Sequence, residues 1–261
     1  MWMILFVPNS FDLGVIFKRG GNMPEKELNV KLIQSPDDPI RILYSAARQC
    51  YSKDFVGDYN DINYEKAKKL IKSIIKSGHI SIIEHLNYTF AIEGISRSES
   101  HQHVRHRIAS FSQQSQRYCN ATDNDHEFNY IIPPSIRNNY EALEIFINTM
   151  HYINQQYDRL VGVLSKDLDN GEKVNQDARY VLPNACETKF VTTMNASSLM
   201  HFFELRLCKR AQWEIRRVAK QMLKLCQDNC PVLFDMCGPK CKNLEYCPEG
   251  SRSCGVIYSK K

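Results

Sequence analysis

The run Arg105-His-Arg-Ile-Ala-Ser-Phe-Ser-Gln-Gln-Ser-Gln-Arg-Tyr118 places three arginines, one histidine, three serines and three glutamines in fourteen residues. A dry core cannot absorb that many polar groups, so the fold must carry this run on a rim or in a cleft. The apolar mass has to be gathered elsewhere. From Tyr140 to Leu168, Leu143, Ile147, Met150, Ile153, Tyr157, Leu160, Val161 and Leu164 recur on one side of a long amphipathic helix, which Asn170-Gly171 ends. That face needs a large partner.

Shorter elements surround these two. Asp37-Asp38-Pro39 offers a cap and a first-turn proline, and Ile40, Leu43, Tyr44 and Ala47 follow at helical spacing to about Gln49. A second helix is expected from Tyr64 to Ser77, with Ala67, Leu70, Ile71, Ile74 and Ile75 on one face and Gly78 as its stop. Leu86, Tyr88, Phe90 and Ile92 alternate with polar neighbours, the pattern of a half-buried strand. Ser96 and Glu99 then have capping-box spacing and start a helix that carries His101 to Arg107. Lys189 to Asn195 reads as another strand, after which Ser197 or Ser198 can cap helical sequence through Cys226. Long helices around a few strands predict a mixed α/β (α+β) fold with a small central sheet. With no repeat or linker in the chain, residues 28–235 are expected to form one unit.

Of the 261 residues 43% are hydrophobic and 24% charged, which excludes intrinsic disorder. The net charge of +5 favours anionic ligands without approaching a polycation. No stretch reaches the roughly 18 consecutive apolar residues of a membrane span, so a soluble, cytoplasmic protein is expected. The opening Met1-Trp-Met-Ile-Leu-Phe-Val has no preceding basic residue and no small-x-small cleavage site, and Lys18 and Arg19 follow it. Residues 1–27 therefore read as an accessory extension, with Met23 as an alternative start. The ten cysteines are then expected as thiols or metal ligands rather than disulfides. Five of them, Cys230, Cys237, Cys241, Cys247 and Cys254, fall late in the chain, and only Cys237-Gly-Pro-Lys-Cys241 has the tight spacing usual in zinc sites. Residues 236–261 are read as a Cys-rich, loop-rich tail with no metal signalled. His101 and His103 cannot share an ion either, being about 200° apart around a helix.

The chain has no Gly-x-Gly-x-x-Gly and no Walker loop, so phosphates would have to be held by side chains. Arginine forks and serine hydroxyls suit that task. The competing reading of the Arg/Ser/Gln run is a solvated helix end and loop.

Arg105-His-Arg-x-x-Ser110, followed by Ser115-Gln-Arg117, resembles the signature of the flavin-dependent thymidylate synthases. The resemblance extends through Gly78-His-Ile-Ser-Ile-Ile-Glu-His85, Ala178-Arg-Tyr-Val-Leu-Pro183, and Asn195-Ala-Ser-Ser-Leu-Met-His-Phe-Phe-Glu-Leu-Arg206 leading into Ala211-Gln-Trp-Glu-Ile-Arg216. It implies a homotetramer of mixed α/β subunits with shared active sites. The implied reaction is methylation of dUMP to dTMP, with 5,10-methylenetetrahydrofolate as carbon donor and NADPH-reduced FAD as hydride source. On that resemblance His79, Ser81, Arg105, His106, Arg107, Gln113, Asn195 and His201 would hold FAD. Gln102, Arg105, Gln113, Ser115, Gln116, Arg117, Arg179 and Arg206 would hold dUMP. Arg206 takes the ring-side position, where positive charge makes C5 a better nucleophile. Ser115 has no local His/Asp relay, so it is expected to position substrate and not to attack it.

Each assignment has a plainer alternative: His79 and Asn195 could simply cap helices, and Arg206 could be an exposed helix charge. Three positions depart from the family pattern: Ser112 where Asn is usual, Gln113 where Glu is common, and Ser197 where Arg is common. The rival class is a nucleic-acid-binding module, with Arg105, Arg107, Arg117, Arg216 and Arg217 on backbone phosphates and a zinc-bearing tail.

Overall fold

The computed structural model describes residues 25–58, 62–122 and 127–256. The expected extension over 1–27 lies outside them except for its last three residues. Four strands, β1 (Asn29–Gln34), β2 (Asn87–Ser96), β3 (Ser110–Gln113) and β4 (Glu187–Asn195), form one antiparallel sheet in the order β1-β2-β4-β3. The α+β reading holds.

The central pair β2 and β4 aligns Tyr88 with Met194 and Ile92 with Phe190. In that register Tyr88, Phe90 and Ile92 share one buried face with Phe190, Thr192 and Met194, while Ala91, Lys189 and Val191 alternate onto the other. Sequence patterning gives no sign of β3. It is a short polar edge strand, Ser-Phe-Ser-Gln, ordered by pairing with β4 from Ser110↔Thr193 to Gln113↔Phe190 rather than by propensity of its own.

The buried face is covered by α1 (Pro39–Gln49) and α2 (Tyr64–Lys76), with α3 (Arg97–His103) leaving the end of β2. Asp38 caps α1 by accepting from Arg41 N at 2.9 Å, and Gly78 follows α2 at φ +81°, the left-handed geometry that stops a helix. Then come α4 (Pro134–Arg137), α5 (Tyr140–Leu164) and α6 (Gly171–Ala178). Asn170-Gly171 does not close the long helix as expected; Asn170 accepts from Glu172 N at 2.8 Å and opens α6. The helical stretch after β4 is likewise two helices, α7 (Ala196–Arg206) and α8 (Trp213–Asn229), and its cap is Asn195 rather than either serine. α9 (Pro231–Phe234) and α10 (Lys240–Leu244) are the last α-helices among the described residues.

Leu43, Ile71, Ile83, Phe202, Phe203, Val218, Met222 and Phe234 close the core over Tyr88 and Phe90, each large side chain contributing about 1.5–3 kcal/mol of burial. Tyr88 keeps its hydroxyl satisfied by donating to Asn229 Oδ1 at 2.9 Å. α5 behaves differently. Of its 25 residues only Met150, Asn154 and Tyr157 are buried, against a small cluster that includes Phe128, Tyr130, Ile132 and Cys186. The rest of the expected apolar stripe, Leu143, Ile147, Ile153, Leu160, Val161 and Leu164, is partly covered within one chain, none of it fully buried.

One irregularity in β2 sets the direction in which the chain leaves the sheet. At Gly94 the chain has φ +68°, and the register shifts between Ile92 and Ile95, so that Ile95 and Ser96 both turn inward. A Cβ at Gly94 would lie 1.8 Å from the Glu27 carbonyl oxygen. Gly94→Ala therefore combines a backbone clash with an unfavourable φ, and should lower stability by at least about 1–3 kcal/mol. A urea midpoint within error of wild type would show that the β1–β2 edge opens freely.

Candidate active site

The bulge delivers Ser96 to the start of α3, where its Oγ accepts from Glu99 N at 3.1 Å, the forward half of the expected capping box. The reverse half comes from another helix. Ser96 N and Ser96 Oγ donate to the two carboxylate oxygens of Glu214 in α8, at 2.7 and 2.6 Å. Burial raises the Glu214 pKa, and the donors from Ser96 act against that rise.

Glu99, released from capping, turns into the core, where its Oε1 lies 2.9 Å from His103 Nδ1 one helical turn on, and both side chains are fully buried. The rings of Phe111, Phe190 and Phe202 pack around His103 with centroids 4.8 to 5.9 Å away. Among the described residues Glu99 Oε2 and His103 Nε2 have no hydrogen-bond partner. Sequence reasoning treats Glu99 only as a cap and overlooks Glu214; the available signal is the i,i+4 spacing of Glu99 and His103.

α3 ends at His103, so Arg105, His106 and Arg107 lie on the turn beyond it and not on the helix expected to carry them. Arg105 and Arg107 point to solvent, whereas His106 packs edge-on against Phe202 at 4.8 Å. Its Nε2 accepts from Arg206 Nε at 2.9 Å. Burial first, and then the Arg206 charge, pulls the His106 pKa down to about 4, leaving a neutral ring whose lone pair faces Arg206 and whose proton sits on Nδ1. Burial also lowers the Arg206 pKa, opposed by the negative charge of Glu99. Arg206 is thus a half-buried, oriented guanidinium at the end of α7, not the exposed helix charge of the plainer reading.

A second group gathers around Cys186. Arg117 pairs with Glu172 in α6, and its backbone N donates to Ser115 Oγ at 3.2 Å. Gln113 Nε2 donates to Thr188 Oγ1 at 3.1 Å, Gln116 Nε2 reaches Cys186 Sγ at 3.7 Å, and Arg179 Nε donates to Gln176 O at 3.2 Å. Arg97, which no motif or spacing singles out, stands close enough to Cys186 and Arg179 to feel both; its pKa is lowered mainly by burial. Gln102 Nε2 folds back to Ser98 O at 3.2 Å within α3.

The remaining positions are more scattered. His79 and Ser81 are exposed beyond α2, and His79 N donates to Ile74 O at 3.2 Å, closing that helix. Asn195 Oδ1 accepts from Ser198 N at 2.8 Å, so its oxygen is committed to capping α7. His201 is exposed on α7, where its charge opposes protonation of His106. One chain therefore brings His106 and Arg206 together, holds the Gln113–Arg117 segment in a separate group, and leaves Arg105, Arg107, His79 and Ser81 facing outward.

An α+β fold that holds a helix-end arginine against a neutral histidine, beside a polar Ser/Gln/Arg strand and turn, belongs to the class of proteins equipped to take an anionic ligand. The chain matches the family described as thymidylate synthase complementing protein over residues 31–232, and it belongs to that family. It is 49% identical over 240 residues to the flavin-dependent thymidylate synthase of Nitratidesulfovibrio vulgaris, covering 89% of this chain and 96% of that one. It is 46% identical over 252 residues to the protein of the same name from Clostridium tetani, covering 93% and 98%. A UMP/dUMP methylase from Streptomyces cacaoi, crystallised with 5-Br dUMP, shares the fold with a TM-score of 0.68 at 22% identity, over 81% of this chain and 94% of that one. These findings give no support to the nucleic-acid-binding alternative. No helix among the described residues is long and apolar enough to cross a membrane.

His106 gives a pH signature. It is neutral in the folded protein down to about pH 4, while in the unfolded chain it titrates near its ordinary value of about 6.5. Between these values the unfolded state binds more protons, so the stability contributed by His106 is complete above about pH 6.5 and lost as pH falls toward 4. The urea midpoint should fall over that window in wild type and fall less in His106→Gln. Equal slopes would place the titration elsewhere.

Proposed function

We propose that this chain methylates C5 of the uracil ring of dUMP to give dTMP, taking the carbon from 5,10-methylenetetrahydrofolate and using FAD reduced by NADPH. The carrying observation is the Arg206–His106 pair: a half-buried guanidinium, oriented by a neutral imidazole at 2.9 Å, at positions where the family signature has its arginine and histidine. Bound FAD would supply the hydride that completes the methyl group. The donor set fits a flavin dinucleotide, since exposed Arg105 and Arg107 offer two cations for its phosphates beside His106. His79, Ser81, Asn195 and His201 are assigned to the same cofactor, with Gln113 contacting both FAD and dUMP.

Arg206 has its Nε committed to His106, which leaves both terminal nitrogens of the fork for an oxygen of the pyrimidine. As carbon transfer begins, negative charge builds on that ring, and a fixed guanidinium in a partly dry site stabilises it without reorganising. Arg117 and Arg179 suit the phosphate of dUMP, Arg117 by exchanging its Glu172 partner for a dianion. Gln102, Arg105, Gln116 and Ser115 complete the substrate contacts. The catalytic unit is proposed to span 28–235, a range that contains the family match over 31–232.

Two features support a homotetramer with shared active sites. Of the cofactor residues, His79, Ser81, Arg105, Arg107 and His201 face outward in a single chain, and α5 leaves Tyr140, Ile145, Tyr152 and Val163 exposed beside its partly covered stripe. A cytoplasmic location accords with folate and NADPH as co-substrates.

Purified protein should be yellow, and under anaerobic conditions with reduced FAD and 5,10-methylenetetrahydrofolate it should convert dUMP to dTMP; no dTMP with saturating donor would overturn the reading. Ser115→Ala should keep measurable turnover with a raised KM for dUMP, because one neutral hydrogen bond contributes about 0.5–1.5 kcal/mol. Arg206→Ala should lower kcat by about tenfold to a thousandfold, and Arg206→Lys should recover only part of it. A dead Ser115→Ala that still binds dUMP, beside a nearly wild-type Arg206→Ala, would reverse the two roles.

A further inference from the structure

The ten cysteines divide into three groups. Cys50 and Cys119 are exposed on the surface of the domain. Cys186, Cys226, Cys230 and Cys237 are buried, and burial pushes their thiols up, Cys230 to about 11 and Cys186 and Cys237 to about 12. These are inert core side chains. The other four, Cys208, Cys241, Cys247 and Cys254, all line one small cleft where the C-terminal tail meets the turn between α7 and α8.

We propose that Cys208, Cys241, Cys247 and Cys254 form a structural zinc site that clamps the tail to the turn after α7. The cleft encloses about 70 Å³, far below the roughly 300–1,000 Å³ of a pocket for an organic ligand, so what it takes is an ion. Four thiols and no imidazole make a soft donor set, the kind that selects zinc over the hard cations magnesium and calcium.

The tail has need of such a clamp. From residue 242 to 256 no side chain is buried, and secondary structure there is limited to the end of α10 and one 3₁₀ turn at Gly250–Arg252. Its ion pair to the domain, Arg210 to Glu249 at 2.6 Å, joins two partly exposed groups, and such a pair is worth only about 0–1 kcal/mol. A loop-rich segment without a core is ordinarily held by a metal or by disulfides.

The rim of the cleft carries charges of both signs. Lys209, Arg210 and Lys240 line it alongside Glu204 and Glu249. Binding breaks four S–H bonds, forms four Zn–S bonds and releases four protons to solvent with no electron transferred, leaving a net charge of about −2, part of which Lys209 and Lys240 offset while Arg210 stays paired with Glu249. In this structure the sulfurs line the cleft without being drawn together: among the described residues no three His, Cys, Asp or Glu side chains are close enough to hold an ion. One step between staggered χ1 wells swings a cysteine sulfur by about 3 Å, and zinc binding would draw the four sulfurs together by such steps and by movement of the tail loops.

Sequence spacing points at the wrong pair. Cys237 and Cys241 have the tight interval, yet the Cys237 thiol faces Leu233 O at 3.8 Å in the core, and the fourth cleft thiol comes from Cys208, far upstream.

The test is independent of the proposed reaction. The full chain, purified with reductant and without chelator or added metal, should contain about one zinc per chain by elemental analysis. Cys247→Ser and Cys254→Ser should each fall below about a tenth of that, while Cys50→Ser and Cys119→Ser keep it. Cobalt(II) exchanged into wild type should show the visible d–d bands of a tetrahedral tetrathiolate. Should the cleft variants fail to fold, alkylation of wild type with mass spectrometry still decides: these four thiols should be protected until zinc is removed by a chelator. Metal-free protein with the four thiols freely alkylated would overturn the proposal. So would a reductant-reversible loss of two hydrogens per bridge, which signals disulfides, or iron with acid-labile sulfide in place of zinc.

Discussion

Two hydrogen bonds from Ser96 to the Glu214 carboxylate join the sheet to the helical layer at the point from which the site is built. They terminate β2, start α3 and anchor α8 with one buried group. Without Glu214, the Ser96 N–H would sit in the core with no acceptor, at a cost of about 1–3 kcal/mol. Without Ser96, a buried carboxylate would lose its strongest donors and shift further toward the neutral acid. The direction in which α3 leaves the sheet, and hence where His103 and His106 point, is set by this joint.

From there the site is assembled by exchange of partners. Because Glu214 performs half of the capping box, Glu99 is available to His103; because His103 fills the space among Phe111, Phe190 and Phe202, the chain must turn immediately after it. That turn presents His106 to Arg206, with Phe202 touching both histidines. Phe202 and Arg206 sit one turn apart on α7, so a single helix supplies the apolar platform and the cation it supports.

Periodicity makes the sheet and most helices legible, because Tyr88, Phe90 and Ile92 alternate cleanly and α1 and α2 carry their own caps. It fails where order depends on a partner distant in the chain. β3 has no apolar alternation and exists because β4 offers it a pairing edge; Asn170 has the look of a helix end and is a helix start, since Asn serves both. At the site, the arginines and serines are visible as a cluster and the ordered motifs identify their family. What spacing cannot convey is which of them face inward: Arg206 reads as one more surface charge until His106 and Glu99 are seen behind it. Glu214 stands within a recognised motif, but no property of a lone Glu in an amphipathic helix foretells a buried carboxylate receiving a strand end.

The same logic explains why α5 and the sheet's open face look incomplete. Of its 25 residues α5 buries Met150, Asn154 and Tyr157, while Leu143, Phe146 and Ile153 pack against the same cluster and stay partly exposed; further cover on that stripe would help offset the ordering entropy of a helix this long, about 1–2 kcal/mol per residue. The buried residues all sit midway along it, where Asn154 accepts from Phe128 N at 3.0 Å and Tyr157 donates to Asn120 at 2.9 Å, so these contacts fix its register and direction while both ends of the stripe stay partly exposed. Lys31, Lys189, Ser112 and Gln114 line the shallow open face of the sheet, and the outward-facing Arg105 and Arg107 lie on the turn leading into β3. The surfaces that packing leaves partly open thus also carry exposed donors, so the association proposed above would cover apolar surface and donors together.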